Sequence, residues 1–284
     1  MGYLAFLVLF LFVLFLDTPK YGCNAEDKFD ENYKQIWGGD HLIVTDQGLG
    51  VQLQLDQTSG AGFSSKTNFG SGIFEILLKT PNQDTEGVVT SYHLTSIPYG
   101  KSVESVNHFE VDIEIFGRNL STNIFTNDPG NKEQQFNLWF NPSDDFHKYQ
   151  ILWNEHQIVW FVDGEPIRVW KNATQQGVKF PSQVGVRIEA SIRNASLAGE
   201  GVDWSKAPFT ANYKDFTINA CAYDDQDQQN CYSGDTSYFY WNAIPYWQLN
   251  ASQQAQLANH RKYHLYFDYC TDSSKAGPEC NINK

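Results

Sequence analysis

Phe109-Glu110-Val111-Asp112-Ile113-Glu114-Ile115-Phe116 alternates acidic and apolar residues. Successive side chains of a β-strand point to opposite faces, so Glu110, Asp112 and Glu114 share one face and Val111, Ile113 and Ile115 fill the other. This is the pattern of a half-buried strand. Three like charges on one face are costly, and the cheapest relief is for one carboxyl to keep its proton near neutral pH, as a general acid must. Glu110 and Glu114 lie about 13 Å apart between Cα atoms at ~3.3 Å per residue. Leaning together over Asp112, their side chains approach the ~5–5.5 Å gap of retaining glycosidases rather than the ~6.5–9.5 Å of inverting ones. The bland alternative is a solvated acidic strand face. The 15 Tyr, 20 Phe and 8 Trp weigh against it, because sugar rings stack on aromatic faces.

Outward from this strand, Tyr33 to Phe216 reads as short alternating segments separated by Gly, Asn, Asp and Pro. Strands are predicted over Leu42–Val44, Gly50–Leu55, Gly72–Leu78, Val88–Leu94 and His108–Phe116, then over Phe136–Phe140, Tyr149–Trp153, Ile158–Val162, Ile167–Trp170 and Val184–Ala190. Asp163-Gly164 between two such runs is a hairpin turn signal. Regular strand spacing without a long amphipathic helix indicates an all-β antiparallel sandwich or jelly roll. Only Ala251 to Tyr263 looks helical, starting after Asn250. The composition shifts near Asn219, where the cysteine-bearing part begins.

Leu4 to Leu16 is an apolar run too short for the ~20 residues of a membrane span. Asp17-Thr18-Pro19 breaks it, and Cys23-Asn24-Ala25 offers small residues for cleavage before Glu26, so residues 1–25 read as a secretory signal, with a signal anchor as the rival. Removal of Cys23 leaves Cys221, Cys231, Cys270 and Cys280, an even number suited to an oxidising compartment. Four cysteines allow three pairings, of which Cys221–Cys231 with Cys270–Cys280 is the simplest. A zinc site is the alternative, but no short C-x2-C pair exists. Sequons at Asn119, Asn172, Asn194 and Asn250 fit a secreted glycoprotein. The net charge of −13 argues against nucleic acid or an anionic membrane as partner and is compatible with a neutral polymer. No cluster has metal-ligand spacing and no phosphate-cradling Gly loop precedes a helix, so no cofactor is expected. About 260 residues after the signal suffice for one large β domain with a small appendix.

His108-Phe109-Glu110-Val111-Asp112-Ile113-Glu114-Ile115-Phe116-Gly117 resembles the active-site strand of plant xyloglucan endotransglucosylase/hydrolases, in glycoside hydrolase family 16. The likeness continues through Ser59-Gly60-Ala61-Gly62-Phe63-Ser64-Ser65-Lys66, Thr122–Thr126, Glu133-Gln134, Leu138-Trp139-Phe140 and Pro166-Ile167-Arg168. It resumes at Gly177–Pro181, Asp203–Phe209 and Tyr269–Asp272, so that it runs from about Asp30 to Cys280. The resemblance implies a concanavalin A-like jelly roll with an open cleft, a catalytic domain over 26–216 and a disulfide-stapled extension over 217–284.

By position on the motif, Glu110 matches the nucleophile, Glu114 the proton donor and acceptor, and Asp112 the assisting carboxylate. The resemblance implies substrate contacts at Glu114, Ser121, Thr122, Asn123, Asn131, Lys132, Glu133, Gly201 and Lys275, the last standing where the family usually has Arg. For Thr122 and Asn123 an ordinary turn after the active strand is the competing reading, and for Lys275 a solvated surface position. The partners implied are xyloglucan polymer and oligosaccharides, in the plant cell wall or apoplast, with a monomeric protein expected.

Several positions depart from the family pattern. Phe109 replaces the Asp of H-D-E, and by alternation it faces the apolar side. Gly117–Ser121 replaces a longer turn, and Asn131–Gln135 replaces D-R-E-Q-R. Ser191-Ile192-Arg193-Asn194-Ala195-Ser196-Leu197-Ala198-Gly199 stands where the family has S-L-W-N-A-D-D-W-A-T, removing acceptor-side tryptophans. A stacking aromatic lost there costs ~1–2 kcal/mol per sugar contact. The shortened loop also lacks the extension of hydrolase-type members, which favours transfer. The leading expectation is therefore a secreted enzyme that cuts xyloglucan and rejoins it to another chain. An enzyme on another β-glucan, and a carbohydrate-binding protein with little turnover, are the alternatives.

Overall fold

Asp163 and Gly164 both adopt left-handed φ values, 51° and 82°, and Val162 pairs with Glu165 around them. That is the two-residue hairpin turn whose twist matches its strands. Tight turns of this kind order the chain into two antiparallel sheets in the computed structural model, which describes residues 27–83, 85–98, 108–182, 184–195, 201–224, 231–232 and 238–283. The proposed signal and Cys23 lie outside the described residues.

The first sheet runs in the order β1 (Tyr33–Trp37), β4 (Ala61–Ser65), β13 (Arg187–Asn194), β6 (Val88–Thr95), β7 (Phe109–Phe116), β8 (Asn119–Thr126), β9 (Gln134–Asn137) and β16 (Leu265–Asp268). The second runs β12 (Glu165–Lys171), β11 (Gln157–Val162), β10 (His147–Trp153), β5 (Phe69–Lys79), β14 (Phe209–Lys214), β3 (Gly50–Leu55) and β2 (Leu42–Thr45), with β15 (Asn219–Ala222) also on β5. The expected all-β sandwich is thus the fold. Thr122 and Asn123 lie inside β8 and not in a turn. The turn is Gly117-Arg118, flanked by the Phe116–Asn119 pair.

The inner faces meet in a core that includes Phe63, Phe74, Tyr92, Ile113, Ile124, Ile151 and Trp160. On β11 the outward residues Val159 and Phe161 are buried as well, joining Ile73, Leu152 and Val169 under Trp241, Leu249 and Leu257. The C-terminal part therefore covers the outer face of the second sheet. Burial on both faces explains why Ile158–Val162 is continuously apolar.

The predicted helix is α2 (Ala251–Tyr263), the second after the short α1 (Phe29–Asn32). Asn250 Oδ1 accepts from Gln253 N and Gln253 Oε1 from Asn250 N, each at 3.0 Å, closing a capping box. His260 at its far end is buried, bonds Glu165 at 2.6 Å and stacks on Trp139 at 4.1 Å between ring centroids. Both expected disulfides are present, Cys221–Cys231 and Cys270–Cys280, each with Cα atoms 5.5 Å apart. The second lies in the closing segment that ends in α3 (Glu279–Ile282).

Candidate active site

Alternation along β7 places Val111, Ile113 and Ile115 in the core and turns Glu110, Asp112 and Glu114 to the other face. Register pairs carry that face sideways. Glu110 lies opposite Thr95 and Phe125, Asp112 opposite His93 and Asn123, and Glu114 opposite Ser91 and Ser121. On β13, Glu189 lies opposite His93 and Ser191 opposite Ser91. The result is an open trough of about 690 Å3, lined by the three carboxylates with His93, Arg187, Glu189, Ser191, Arg193 and residues 34–37.

The trough floor is pinned from beneath. Trp160 of the opposite sheet donates its indole N–H to the Asp112 carbonyl at 3.0 Å. The Tyr213 hydroxyl lies 3.2 Å from the carbonyls of both Ser91 and Ser191. Buried Arg168 on β12 donates to the Thr122 carbonyl at 2.8 Å and to the Lys132 carbonyl at 2.7 Å, fixing β8 and the loop after it. Burial pulls the Arg168 guanidinium down to about 10. Its cross-sheet donors hold the carboxylate strand and its neighbours in one geometry, as a preorganised site requires.

Glu110 and Asp112 are only 9% and 8% exposed. Burial first, then the charges of Glu110 and Glu114, push the Asp112 carboxyl well above its ordinary range, with Arg193 opposing. The middle carboxyl is thus drawn toward its protonated form. His108 stacks on Phe125 at 4.8 Å and brings Nε2 to 3.6 Å from Glu110. Arg193 donates to Glu114 at 2.5 Å. Burial lowers His93, but its bond to Glu189 and the charges of Glu110, Glu189 and Glu114 outweigh this and raise it. Burial raises Glu189, and His93 with Arg187, at 2.6 Å, more than reverses that.

The remaining predicted positions fall into different settings. Ser121 is on the Glu114 row, beside the trough. Asn123 shares the Asp112 row, and its Oδ1 accepts from the backbone of Ile124 and Lys132. Thr122 is fully buried on the inner side, with its hydroxyl bound by Arg168 at 2.9 Å. Asn131 is exposed at a φ of 60°, and Lys132 is tied to Asp128 at 2.7 Å. Glu133 is half-buried, and Gly201 and Lys275 are exposed. Neither these last three nor Asn131 and Lys132 line the trough around the carboxylates. Of the sequon residues, Asn250 is exposed and Asn119, Asn172 and Asn194 are half-buried. Ser196–Gly199 of the altered loop lies outside the described residues.

Sequence reasoning missed His93, Arg187, Glu189, Arg193 and Trp37 as part of this surface. The signal was present for three of them. Arg187-Ile188-Glu189-Ala190-Ser191-Ile192-Arg193 alternates polar and apolar as plainly as β7 does. Among the described residues, no group of three or more His, Cys, Asp or Glu side chains is placed to hold a metal ion.

An antiparallel sandwich whose open trough is floored by alternating carboxylates defines a carbohydrate-active β-sandwich protein. The chain belongs to the glycosyl hydrolases family 16, whose sequence model matches residues 29–215, and within it to the xyloglucan endotransglucosylase/hydrolases. It is 39% identical to xyloglucan endotransglucosylase/hydrolase protein 2 of Arabidopsis thaliana, over 98% of this chain and 97% of that protein. It is 36% identical to xyloglucan endotransglucosylase protein 6 of Diospyros kaki, over 89% of this chain and 87% of that one. Among solved structures, a prokaryotic β-1,3-1,4-glucanase (lichenase) from a mouse hindgut metagenome matches the fold with a TM-score of 0.53. It is 23% identical and covers 67% of this chain and 95% of its own.

Proposed function

We propose that this protein is a secreted glycosyl transferase/hydrolase of the plant cell wall that cleaves the β-1,4-glucan backbone of xyloglucan and passes the new end to another xyloglucan chain or to water. The observation that carries the reading is the carboxylate trio on one strand face at the floor of an open trough, in a chain whose relatives bear xyloglucan endotransglucosylase names.

In this reading Glu110 attacks the anomeric carbon, and the bond to the leaving sugar breaks as a glycosyl-enzyme ester forms. Glu114 begins protonated in this reading, released from Arg193 as substrate enters; it gives the departing oxygen its proton, then takes one from the acceptor hydroxyl that displaces Glu110. Asp112, which burial and its two neighbours push toward the protonated form, lies between them and limits the charge on the face while Glu110 reacts. Ser121 and Asn123, next to the trio, support sugar contacts on the β8 side. For Thr122 the bonds to Arg168 favour an indirect part, holding β8 in place. Asn131, Lys132, Glu133, Gly201 and Lys275 are proposed as more distant substrate contacts. Residues 1–25 are proposed as a signal, 26–216 as the catalytic domain and 217–284 as its extension, with glycans on the four sequons and a monomeric protein.

Incubation with xyloglucan and labelled xyloglucan oligosaccharides tests the reading, following polymer labelling and new reducing ends. Label in the polymer with few new ends means transfer, and new ends without label mean hydrolysis. Neither product would sink the xyloglucan assignment. Arg193 in place of the family's Trp favours a second reading, in which another β-glucan is the acceptor. Cello-oligosaccharides and mixed-linkage oligosaccharides in the same assay decide it.

A further inference from the structure

We propose that His93, held by Glu189 and Arg187, is a positioning residue that sets a cation beside the carboxylate face and so keeps Glu110 able to attack at lower pH. The proposal rests on the glucan reading given above. Its first support is register. His93 lies opposite Asp112 on one side and Glu189 on the other. Its neighbours on the same face of β6 are Ser91 and Thr95, which pair with Glu114 and Glu110. Diagonal neighbours on one face of a sheet are roughly 7–8 Å apart. His93 is therefore centred on the trio, one strand away, with Glu110 and Glu114 on its two diagonals. Its side chain is half-buried and lines the trough.

The second support is how the ring is held. Arg187 Nε lies 2.6 Å from one oxygen of Glu189, and His93 Nε2 lies 3.5 Å from the other. Both oxygens of Glu189 thus face a basic partner, so Glu189 serves as an anchor and not as a fourth proton carrier in the trough. The side chains of Arg187, Glu189 and His93 are 8%, 17% and 19% exposed, and charges this far out of water are screened little by salt. A carboxylate beside an imidazole favours the protonated ring.

Every charge facing His93 acts on this balance. Glu189 on β13 and Glu110 and Glu114 on β7 favour the cation, and together they outweigh the burial that opposes it. Asp112, drawn toward its neutral form, adds little. Arg187 and Arg193 on β13 and Lys34 on β1 line the same trough and work the other way. The influence between His93 and the carboxylates is mutual. A cation near a carboxylate favours its charged form, and a carboxylate nucleophile must be charged to attack the anomeric carbon. His93 needs no contact with the sugar for this, because it acts through Glu110.

The test is the pH dependence of kcat/KM for xyloglucan cleavage by the full mature protein, His93→Gln and His93→Lys. Loss of one charge at this distance moves a neighbour's titration by about half a pH unit to one unit. His93→Gln is expected to carry the acid limb of the profile upward by that amount, and His93→Lys, which keeps the charge, to return most of it. An acid limb that stays in place or moves down in His93→Gln overturns the proposal, as does a uniform loss at every pH or a failure of His93→Lys to restore the limb. A reciprocal measurement needs no turnover. The His93 ring, followed by NMR, should titrate above 6.5 and fall in both Glu110→Gln and Glu189→Gln. A His93 titration indifferent to Glu110→Gln overturns the positioning role and leaves the glucan reading standing. Absence of turnover on any β-glucan overturns that reading, and this role with it.

Discussion

Arg193 Nη2 lies 2.5 Å from Glu114 Oε1, so β13 reaches across β6 to hold a carboxylate of β7. Both side chains are partly open to solvent, at 44% and 34%, and an exposed pair of this kind contributes only about 0.2–1 kcal/mol. The contact nevertheless occupies an oxygen through which Glu114 would serve a leaving or incoming sugar.

Arg193→Ala is therefore expected to raise the rate of glucan cleavage, by no more than about fivefold given the small worth of the pair. Arg193→Lys should stay close to the original rate. Initial rates at saturating donor measure this. A tenfold fall in Arg193→Ala would instead give Arg193 a supporting part in placing Glu114.

Glu110→Gln keeps the size of the side chain and removes the nucleophilic oxygen. Transfer and hydrolysis should both fall by roughly a thousandfold or more, while oligosaccharide binding and the melting temperature change little. Retained turnover at the original rate would refute Glu110 as nucleophile.

Asp112 sets a pH dependence of stability. Burial and its two carboxylate neighbours raise it in the folded chain above its ordinary 3.8, so between that value and the folded one the folded state holds a proton that the unfolded state has lost. Stability from this group is complete below the unfolded value and declines as pH rises through the folded one. Asp112→Asn cannot ionise, and it also offers N–H donors in a place where Asp112 Oδ1 has no partner among the described residues. The variant should melt about 2–4 °C higher at neutral pH, a gain of ~1 kcal/mol, with the difference shrinking toward about pH 4. Its transfer rate should fall. Thermal melts across pH decide this, and a variant less stable at neutral pH would contradict it.

The two disulfides close loops of equal sequence separation, 10 residues each, so chain entropy alone assigns both about 2–3 kcal/mol. Their surroundings differ. Cys221 and Cys231 are 1% and 3% exposed and sit in the outer core beside Trp241, whose indole N–H bonds Ser71 at 3.0 Å. Replacing that pair by alanine should cost more than replacing Cys270 and Cys280. Denaturant melts of the two double variants give the comparison, and an equal loss would mean that loop closure outweighs packing.

Much of this was legible because alternation is a local property. The faces of β3, β6 and β7 and the hairpin at Asp163-Gly164 follow from neighbouring residues alone. The sequence reading also missed β1, β8, β14 and β15, and two further missed strands show why. β4 is Ala61-Gly62-Phe63-Ser64-Ser65, with few large apolar residues to mark it, because its cleft side is kept low under Trp37. β16 is four residues long and exists through pairing with β9, far away in sequence. Within the site, alternation identified the three carboxylates and the need for a retained proton. It could not show that burial raises Asp112, because depth of burial depends on what β6 and β13 place alongside. The register shift between Gln35 and Trp37, at the trough edge, has the same character, since it is set by the partner strand.

β16 has one more consequence, through its pairing with β9. The sheet that carries the carboxylates takes its last strand from the C-terminal segment, beyond the residues 29–215 that match the family. A chain cut at that boundary would leave the backbone N–H and C=O groups of Gln134–Asn137 uncovered on one side. Open strand edges recruit other chains. The tail thus closes an edge at which a second chain could otherwise add, on the same sheet that carries the carboxylates.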